Sequence, residues 1–500
     1  MELFAFILYF IAMLGIGVYF FFKAKGESGE KDYFLGGRQM GPWVTAMSAQ
    51  ASDMSAWLLM GLPGSILAFG FGKAWIGIGL AIGTSLNWIL VAKRLRKFSE
   101  ASGDAITVPQ YLSNRFLAKN HVLSVTCAVV FLLSFTLYVA SGFAAGAKVF
   151  TTLMPNLNPQ LALTIFAAII IIYTFLGGFK AVCWTDFFQG LLMLVALLAV
   201  PLLIVATKKL DFGVLQEVYK ANIGGEEQTY AFVADFFSAG WKDIISGLAW
   251  GLGYFGMPHI IVRFMSIEKP SMVKKSATVA IVWVIISLAA TICIAIFGRI
   301  LIGEALLMAG QQEMVFVKLA RDLFPPFIAG ILLAAIIAAS MSTADSQLLV
   351  ASSSFTSDIY KPLFRKDASD EELLWVGRIV VLIVSVVAYF IAGSRGDGAG
   401  AIMAMVENAW GLFGAAFGPV VLLSLFWKRF TYKGAIAGIV VGAAVDILWL
   451  VLLSQTGIYE IIPGFILGGL AAIVVTLLDK KPSAEIEALY DLATGSAMEK

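Results

Sequence analysis

The sequence predicts an all-α integral membrane protein with about thirteen transmembrane helices. Hydrophobic residues make up 60% of the 500-residue chain against 14% charged, and the mean hydropathy is +0.88, far from the balance of a water-soluble protein. The apolar residues fall in blocks of roughly 20, the length at which a helix rising 1.5 Å per residue crosses a hydrocarbon core of about 30 Å. They lack the alternation of barrel strands. Several blocks are also interrupted by glycine, proline and small polar residues.

The first span covers 2–23. Met-Glu followed by a full-length apolar block, with no small-residue cleavage site, reads as a retained span rather than a signal peptide. The second, 41–69, is broken by Gln50 to Ser55 and again by Gly61-Leu62-Pro63-Gly64. Spans follow at 72–95, 122–154, 159–178 and 184–207. The seventh, 234–262, is broken by Gly251-Leu252-Gly253-Tyr254-Phe255-Gly256-Met257-Pro258-His259. The remainder are expected at 273–303, 325–356, 374–394, 399–427, 433–454 and 459–478.

Discontinuous helices in corresponding positions point to a transporter site, because unwound backbone offers carbonyls to a cation and helix N-termini to an anion. The two breaks lie five spans apart. That fits one transmembrane domain with two inverted repeats of five, 41–207 and 234–427, preceded by an extra helix at 2–23 and followed by two helices in 433–478. No strong residue-level repeat accompanies this symmetry. The connections 208–233 and 357–373 are too short to build a core of their own, and the tail 482–500 reads as a short amphipathic or disordered end.

Basic loops set the expected orientation. Lys23, Lys25, Lys31 and Arg38, then Lys93, Arg94, Arg96, Lys97, Arg115 and Lys119, then Arg263, Lys269, Lys274 and Lys275 alternate with poorer connections such as Asn156-Leu157-Asn158. Lys361, Arg365 and Lys366, then Lys428, Arg429 and Lys433, then Lys480 and Lys481 keep the parity. The N-terminus is expected outside and the C-terminus in the cytoplasm, in a multi-pass protein of the cell membrane. Topology alone accounts for these loops, and a net charge of +2 implies no nucleic-acid partner. Besides the lipid bilayer, no obligate protein partner is evident.

Cys127, Cys183 and Cys293 lie in or beside apolar blocks without metal or redox spacing, and read as buried thiols. His121 and His259 belong to no Cys/His cluster. No nucleophile elbow or phosphate-binding glycine loop occurs, which argues against an enzyme.

Asp53 is the most telling residue. A carboxylate at the centre of a spanning helix costs about 2.5 to 3.5 kcal/mol, so it normally faces a partner, a cavity or an ion. The alternative is a helix-end position capping backbone N–H groups. In the ninth span, Ser342 and Thr343 follow Ala339 at a spacing that offers two hydroxyls and a carbonyl to a hard cation, although hydroxyls in spanning helices often bond back to their own helix. Trp57, Tyr138, Trp250, Tyr254 and Phe255 near the breaks are able to wall a small pocket or simply pack. Lys148, Asp186, Asp345, Glu407 and Asp446 are further charges in apolar surroundings. Lys148 and Asp446 are expected to snorkel or cap, and for Asp186 an interfacial cap weighs as much as a functional role.

Several segments resemble the sodium:solute symporter family, and within it the bacterial proline carriers. They are Tyr33-Phe34-Leu35-Gly36-Gly37-Arg38, Ala51-Ser52-Asp53-Met54-Ser55, Trp57 to Gly64, Trp184-Thr185-Asp186, Gly251 to Gly256, Met341-Ser342-Thr343, Trp410-Gly411 through Gly418-Pro419 and Tyr459 to Gly464. The resemblance extends along nearly the whole chain. It implies the thirteen-helix form of the LeuT-like inverted-repeat fold and Na⁺-coupled symport of L-proline by alternating access, with Na⁺ as the coupling ion and no cofactor. By the same match, Ala51, Met54 and Ala339 would give carbonyls and Ser342 and Thr343 hydroxyls to sodium. Asp53 would be needed for sodium-dependent transport by shaping that site, and Arg38 for coupling. Ser55, Trp57, Tyr138, Trp250, Tyr254 and Pro258 would form the substrate pocket. The chain departs from the proline carriers at Gln50 and Ala56, where glycine is usual, at Met257, where glutamine is common, and at Asp345, where the enteric type has a hydroxyl.

Other readings follow from the same residues. A family member for another solute, such as pantothenate, a sugar or another amino acid, is the nearest. A sensor that binds without transport would need a signalling domain for which the tail has no room, and a passive channel would show no gradient-driven accumulation.

Overall fold

The computed structural model describes residues 1–23, 29–176, 178–395, 398 and 400–495. Lys25, in the first basic loop, and residue 399, the expected start of a span, lie outside them. Along the chain run α1 (Glu2–Lys23), α2 (Glu30–Leu35), α3 (Pro42–Met54), α4 (Gly61–Phe69), α5 (Phe71–Leu86), α6 (Lys93–Ala101), α7 (Val108–Arg115), α8 (Val122–Leu153), α9 (Pro159–Leu176) and α10 (Phe179–Thr207). A hairpin follows, β1 (Tyr219–Ile223) and β2 (Glu226–Tyr230). Then come α11 (Trp241–Ala249), α12 (Pro258–Ser266), α13 (Val273–Met308), α14 (Val315–Leu323), α15 (Pro326–Phe355) and α16 (Lys361–Leu363). The chain ends with α17 (Asp370–Arg395), α18 (Ala401–Phe426), α19 (Tyr432–Leu452), α20 (Ile461–Leu478) and α21 (Ala484–Thr494).

Among the described residues ten helical stretches are long and apolar enough to cross a bilayer, and the bent pair Trp241–Phe255 with Pro258–Ser266 makes an eleventh. The other two expected spans, 41–69 and 159–178, hold shorter apolar helices, Ala56–Phe69 and Pro159–Phe175. The protein is a mostly helical, multi-pass membrane protein. α15 lies at its centre, buried from Leu332 to Ser354, while Phe390, Val451 and Leu470 on α17, α19 and α20 keep apolar surface facing outward, as lipid contact requires.

The hairpin corrects the all-α expectation. Gly224 and Gly225 take φ of 64° and 92°, the left-handed backbone that a two-residue hairpin turn demands, and Tyr219 pairs with Tyr230 across the ladder. Arg299 of α13 fixes it to the bundle, donating to the carbonyls of Glu217 (2.7 Å), Tyr230 (3.3 Å) and Leu67 (3.1 Å). α21 gives the tail an ordered, docked helix, with the Tyr490 ring 5.3 Å from that of Phe98.

Both sequence breaks are real interruptions. α3 stops at Met54 because Ser55 turns to φ 45°, ψ −175°, and its hydroxyl accepts the Trp57 N–H at 3.1 Å. A short 3-10 turn, Ala56–Leu58, leads to the restart at Gly61. In the seventh span a 3-10 stretch, Trp250–Phe255, separates α11 from α12, and the two halves meet at 43°. Proline at the first position of α12 fits the restart, since its missing N–H would be unpaired there anyway. Gly253 is obligatory here: a Cβ would sit 2.0 Å from Nε1 of Trp410.

Candidate functional site

A helix leaves its last four carbonyls without intrahelical partners. At the end of α3 these belong to Ala51, Ser52, Asp53 and Met54, all buried. Three are met by side chains from three different helices. Ser342 Oγ of α15 donates to the Ala51 carbonyl at 2.8 Å, His259 Nε2 of α12 lies 3.1 Å from the Ser52 carbonyl, and Tyr138 Oη of α8 donates to the Asp53 carbonyl at 3.3 Å. No hydrogen bond among the described residues reaches the Met54 carbonyl.

Ser342 Oγ also lies 3.2 Å from the carbonyl of Ala339, and Thr343 Oγ1 beside it is buried with no partner among the described residues. One hydroxyl proton is thus shared between two carbonyls, in a neighbourhood with further unpaired oxygen. Such an all-oxygen donor set suits a hard cation. Ser342 bonds both back to its own helix and across to α3.

Asp53 does not cap backbone N–H groups. Its Oδ2 accepts the Tyr254 hydroxyl at 2.6 Å, which ties the first break to the second. Trp57 stacks on Trp250, ring centroids 5.3 Å apart and 25° between planes, and its Nε1 points to Met403 Sδ at 2.8 Å. Pro258 precedes His259, whose ring meets the Ser52 carbonyl. Ser55, Trp57, Tyr138, Trp250, Tyr254 and Pro258 therefore surround the same pair of breaks, and all six are buried. Gln50, Ala56 and Met257 are buried too, with Gln50 Nε2 unpartnered.

Sequence reasoning left Trp410 out of the site. Its Nε1 donates to the Trp250 carbonyl at 2.8 Å, and its ring lies 5.1 Å from that of Tyr254. It sits on α18, an unbroken helix, so no interruption advertised it.

Asp186 lies inside α10, not at its start, and is fully buried; the interfacial-cap reading is overturned. Its Oδ2 accepts from Ser48 at 2.7 Å and from the Arg263 guanidinium at 3.1 Å, while Arg263 also donates to Ser48 Oγ and Ser346 Oγ. Neither oxygen of Asp345, fully buried on α15, has a partner among the described residues. The Lys148 charge is met by a side chain, not by a helix end. It pairs with Glu313 at 2.9 Å, and the other Glu313 oxygen accepts the Met403 N–H at 3.1 Å.

Arg38 is remote from the Ser342 site. It donates to Asp104 at 2.6 Å, Ser99 Oγ at 3.0 Å and the Ala105 carbonyl at 2.7 Å, and also to the Met265 carbonyl near the end of α12. Burial, with Arg96 nearby, pushes its pKa down. Burial pushes the Asp104 carboxyl up, but hydrogen bonds and charge from Lys31 and Arg38 outweigh that and hold it below the usual carboxylate range.

Known proteins resemble this chain along nearly its whole length. The chain is 43% identical over 486 residues to a sodium/proline symporter of Escherichia coli (strain K12), covering 96% of this chain and 94% of that one. It is 41% identical to the osmoregulated proline transporter OpuE of Bacillus subtilis (strain 168), covering 95% and 94%. A solved Na⁺-coupled sialic acid symporter, substrate-bound and outward-open, superposes with a TM-score of 0.72 at 21% identity over 96% of this chain and 98% of that one. The nucleobase-cation-symport transporter Mhp1 in a closed conformation gives 0.53 at 15% identity, over 92% and 97%. These two share the LeuT-like fold. The model of the sodium:solute symporter family matches residues 33–442, so the chain belongs to that family, as a membrane transporter that couples the movement of a small solute to Na⁺ rather than as an enzyme.

Proposed function

We propose that the chain imports L-proline with Na⁺ by alternating access. The observation that carries the sodium assignment is the Ser342 hydroxyl lying between the Ala51 and Ala339 carbonyls, beside the unpartnered Thr343 hydroxyl. In this reading Na⁺ takes the place of the shared hydroxyl proton. Ser342 turns a lone pair inward, Thr343 adds its oxygen, and the carbonyls of Ala51, Met54 and Ala339 complete the set. Asp53 shapes the site through Tyr254 without touching the ion. Sodium would thereby stiffen the broken end of α3, and the same rigidity orders the solute pocket on its other side.

Support for proline comes from relatives at 41–43% identity that are proline transporters and from a buried aromatic enclosure, Trp57, Trp250, Tyr254 and Tyr138, with the Ser55 hydroxyl at the break. An apolar ring on a zwitterion fits such a wall. Arg38 serves coupling by tying the segment before α3 to the Met265 carbonyl near the end of α12, so that the two broken helices move together on the cytoplasmic side. In this reading the basic loops lie inside and the N-terminus outside, and the two five-helix repeats cover 41–207 and 234–427.

Energetically, 100 mV supplies about 2.3 kcal/mol per charge. A tenfold sodium gradient adds about 1.4 kcal/mol, and the sum concentrates a neutral solute on the order of 500-fold.

The test is labelled L-proline uptake into liposomes holding the purified protein, with and without an inward Na⁺ gradient, and with Asp53→Asn alongside. Uphill, Na⁺-dependent uptake lost in the variant is the expected result. Uptake of another solute in place of proline would sink the substrate and leave the coupling. Saturable binding without accumulation would mark a sensor.

A further inference from the structure

Asp446 and Glu460 form a second acidic centre, on α19 and just before α20, apart from the Ser342 oxygen set. Asp446 lies within α19, where its backbone is helical and its carboxylate caps nothing, and it is 1% exposed. Glu460 precedes α20 and is 7% exposed. One oxygen of each, Asp446 Oδ1 and Glu460 Oε1, is buried with no hydrogen-bond donor among the described residues. The two side chains converge on the bare face of Gly411 in α18. A Cβ there would lie 3.1 Å from Asp446 Oδ1 and 3.4 Å from Glu460 Cγ, so a side chain at this position would crowd both.

The neighbouring groups do not neutralise them. The Tyr459 hydroxyl is spent on the Glu407 carbonyl at 2.8 Å. A cavity of about 280 Å³ alongside is lined by Glu460, Tyr459, Glu407, Asn408, Ser246 and Lys73. Lys73 already faces Asp243 at 3.7 Å. A buried carboxylate without a donor is strongly disfavoured as a bare anion, and two side by side more so.

We propose that Asp446 and Glu460 hold a hard cation, Na⁺ or Ca²⁺, with oxygen ligands completed from the cavity. Carboxylates beside amide and hydroxyl oxygens are the donors such ions take. The site stands on α18, α19 and the start of α20, and shares no residue with the Ser342 oxygen set. The Tyr459 ring packs on the same face of Gly411 and lies 5.3 Å from the Trp250 ring, so the bound ion braces the back of the aromatic wall.

Equilibrium binding of ²²Na⁺ and ⁴⁵Ca²⁺ to the purified full-length chain tests this, with Asp446→Asn, Glu460→Gln and Ser342→Ala compared at equal monodispersity. One cation per chain should be lost, or bound at least about tenfold more weakly, in both Asp446→Asn and Glu460→Gln, and retained in Ser342→Ala. The isotope that is lost identifies the ion. Unchanged binding of both isotopes in Asp446→Asn and Glu460→Gln would overturn the proposal and leave a shared proton as the neutralising species. Failure of the transport reading is separate: it would show as unchanged ²²Na⁺ binding in Ser342→Ala, whatever Asp446→Asn does.

Discussion

The Tyr254 hydroxyl donates to the Asp53 carboxylate at 2.6 Å, so the break in one discontinuous helix is bonded directly to the break in the other. Through this contact a change at the end of α3 reaches the aromatic wall around Trp250 and Trp410. Removing the hydroxyl leaves Asp53 buried without its donor, a loss of about 1.5 to 3 kcal/mol for a hydrogen bond to a charged group. Tyr254→Phe should raise the Na⁺ concentration for half-maximal transport by roughly tenfold or more. In a double-mutant cycle with Asp53→Asn the two effects should fall well short of additive, and additive effects would show that the contact carries no coupling.

Ser342→Ala removes the oxygen between the Ala51 and Ala339 carbonyls. Its net hydrogen bond is worth only about 1 kcal/mol to the fold, so the thermal midpoint should move little. Half-saturating Na⁺ should rise by at least about tenfold with the solute's own pocket intact. Sodium titration of transport, read with a melting curve, separates the two effects.

Lys148 and Glu313 form a nearly buried ion pair, 20% and 4% exposed, and Glu313 also accepts the Met403 N–H whose side chain faces Trp57. Lys148→Met strands a buried carboxylate and should destabilise by roughly 2 kcal/mol, less than a fully buried pair because Lys148 is partly solvated. Adding Glu313→Gln should recover much of that loss. Thermal unfolding of the single and double variants in detergent checks both steps.

The Asp104 carboxyl is held below its ordinary value, so its contribution to stability has a defined sign. The stabilisation is fully present above the unfolded value of about 3.9 and is lost as pH falls through the lower folded value. Thermal midpoints of the wild type and Asp104→Asn should differ above about pH 5 and converge as the medium is acidified below the unfolded value. A gap that widens on acidification would reverse the assignment.

The spans were legible because bilayer thickness writes itself into the chain as apolar length, and the breaks because glycine, proline and clustered hydroxyls cannot extend a helix in lipid without help. Ser342 and Thr343 were legible as hydroxyls at helical spacing from Ala339. By contrast, the hairpin at 219–230 sat in a polar connection with only Gly224-Gly225 to mark it, and its stability comes from Arg299, which lies about seventy residues further along the chain. Trp410 was hidden because its role depends on Gly253 having no side chain.

The sequence alone determined a membrane-spanning helical transporter with two interrupted helices, a carboxylate at the first break and hydroxyls in the ninth span. These follow from local physics: hydrophobic length, helix-breaking residues and the cost of a charge in hydrocarbon. Only the tertiary structure decided that Tyr254 satisfies Asp53, that Arg263 meets Asp186 inside the bundle instead of leaving it as a cap, and that Lys148 pairs with Glu313. Those partners stand 201, 77 and 165 residues apart, and nothing in a chain read one segment at a time says which distant donor will reach a buried acid.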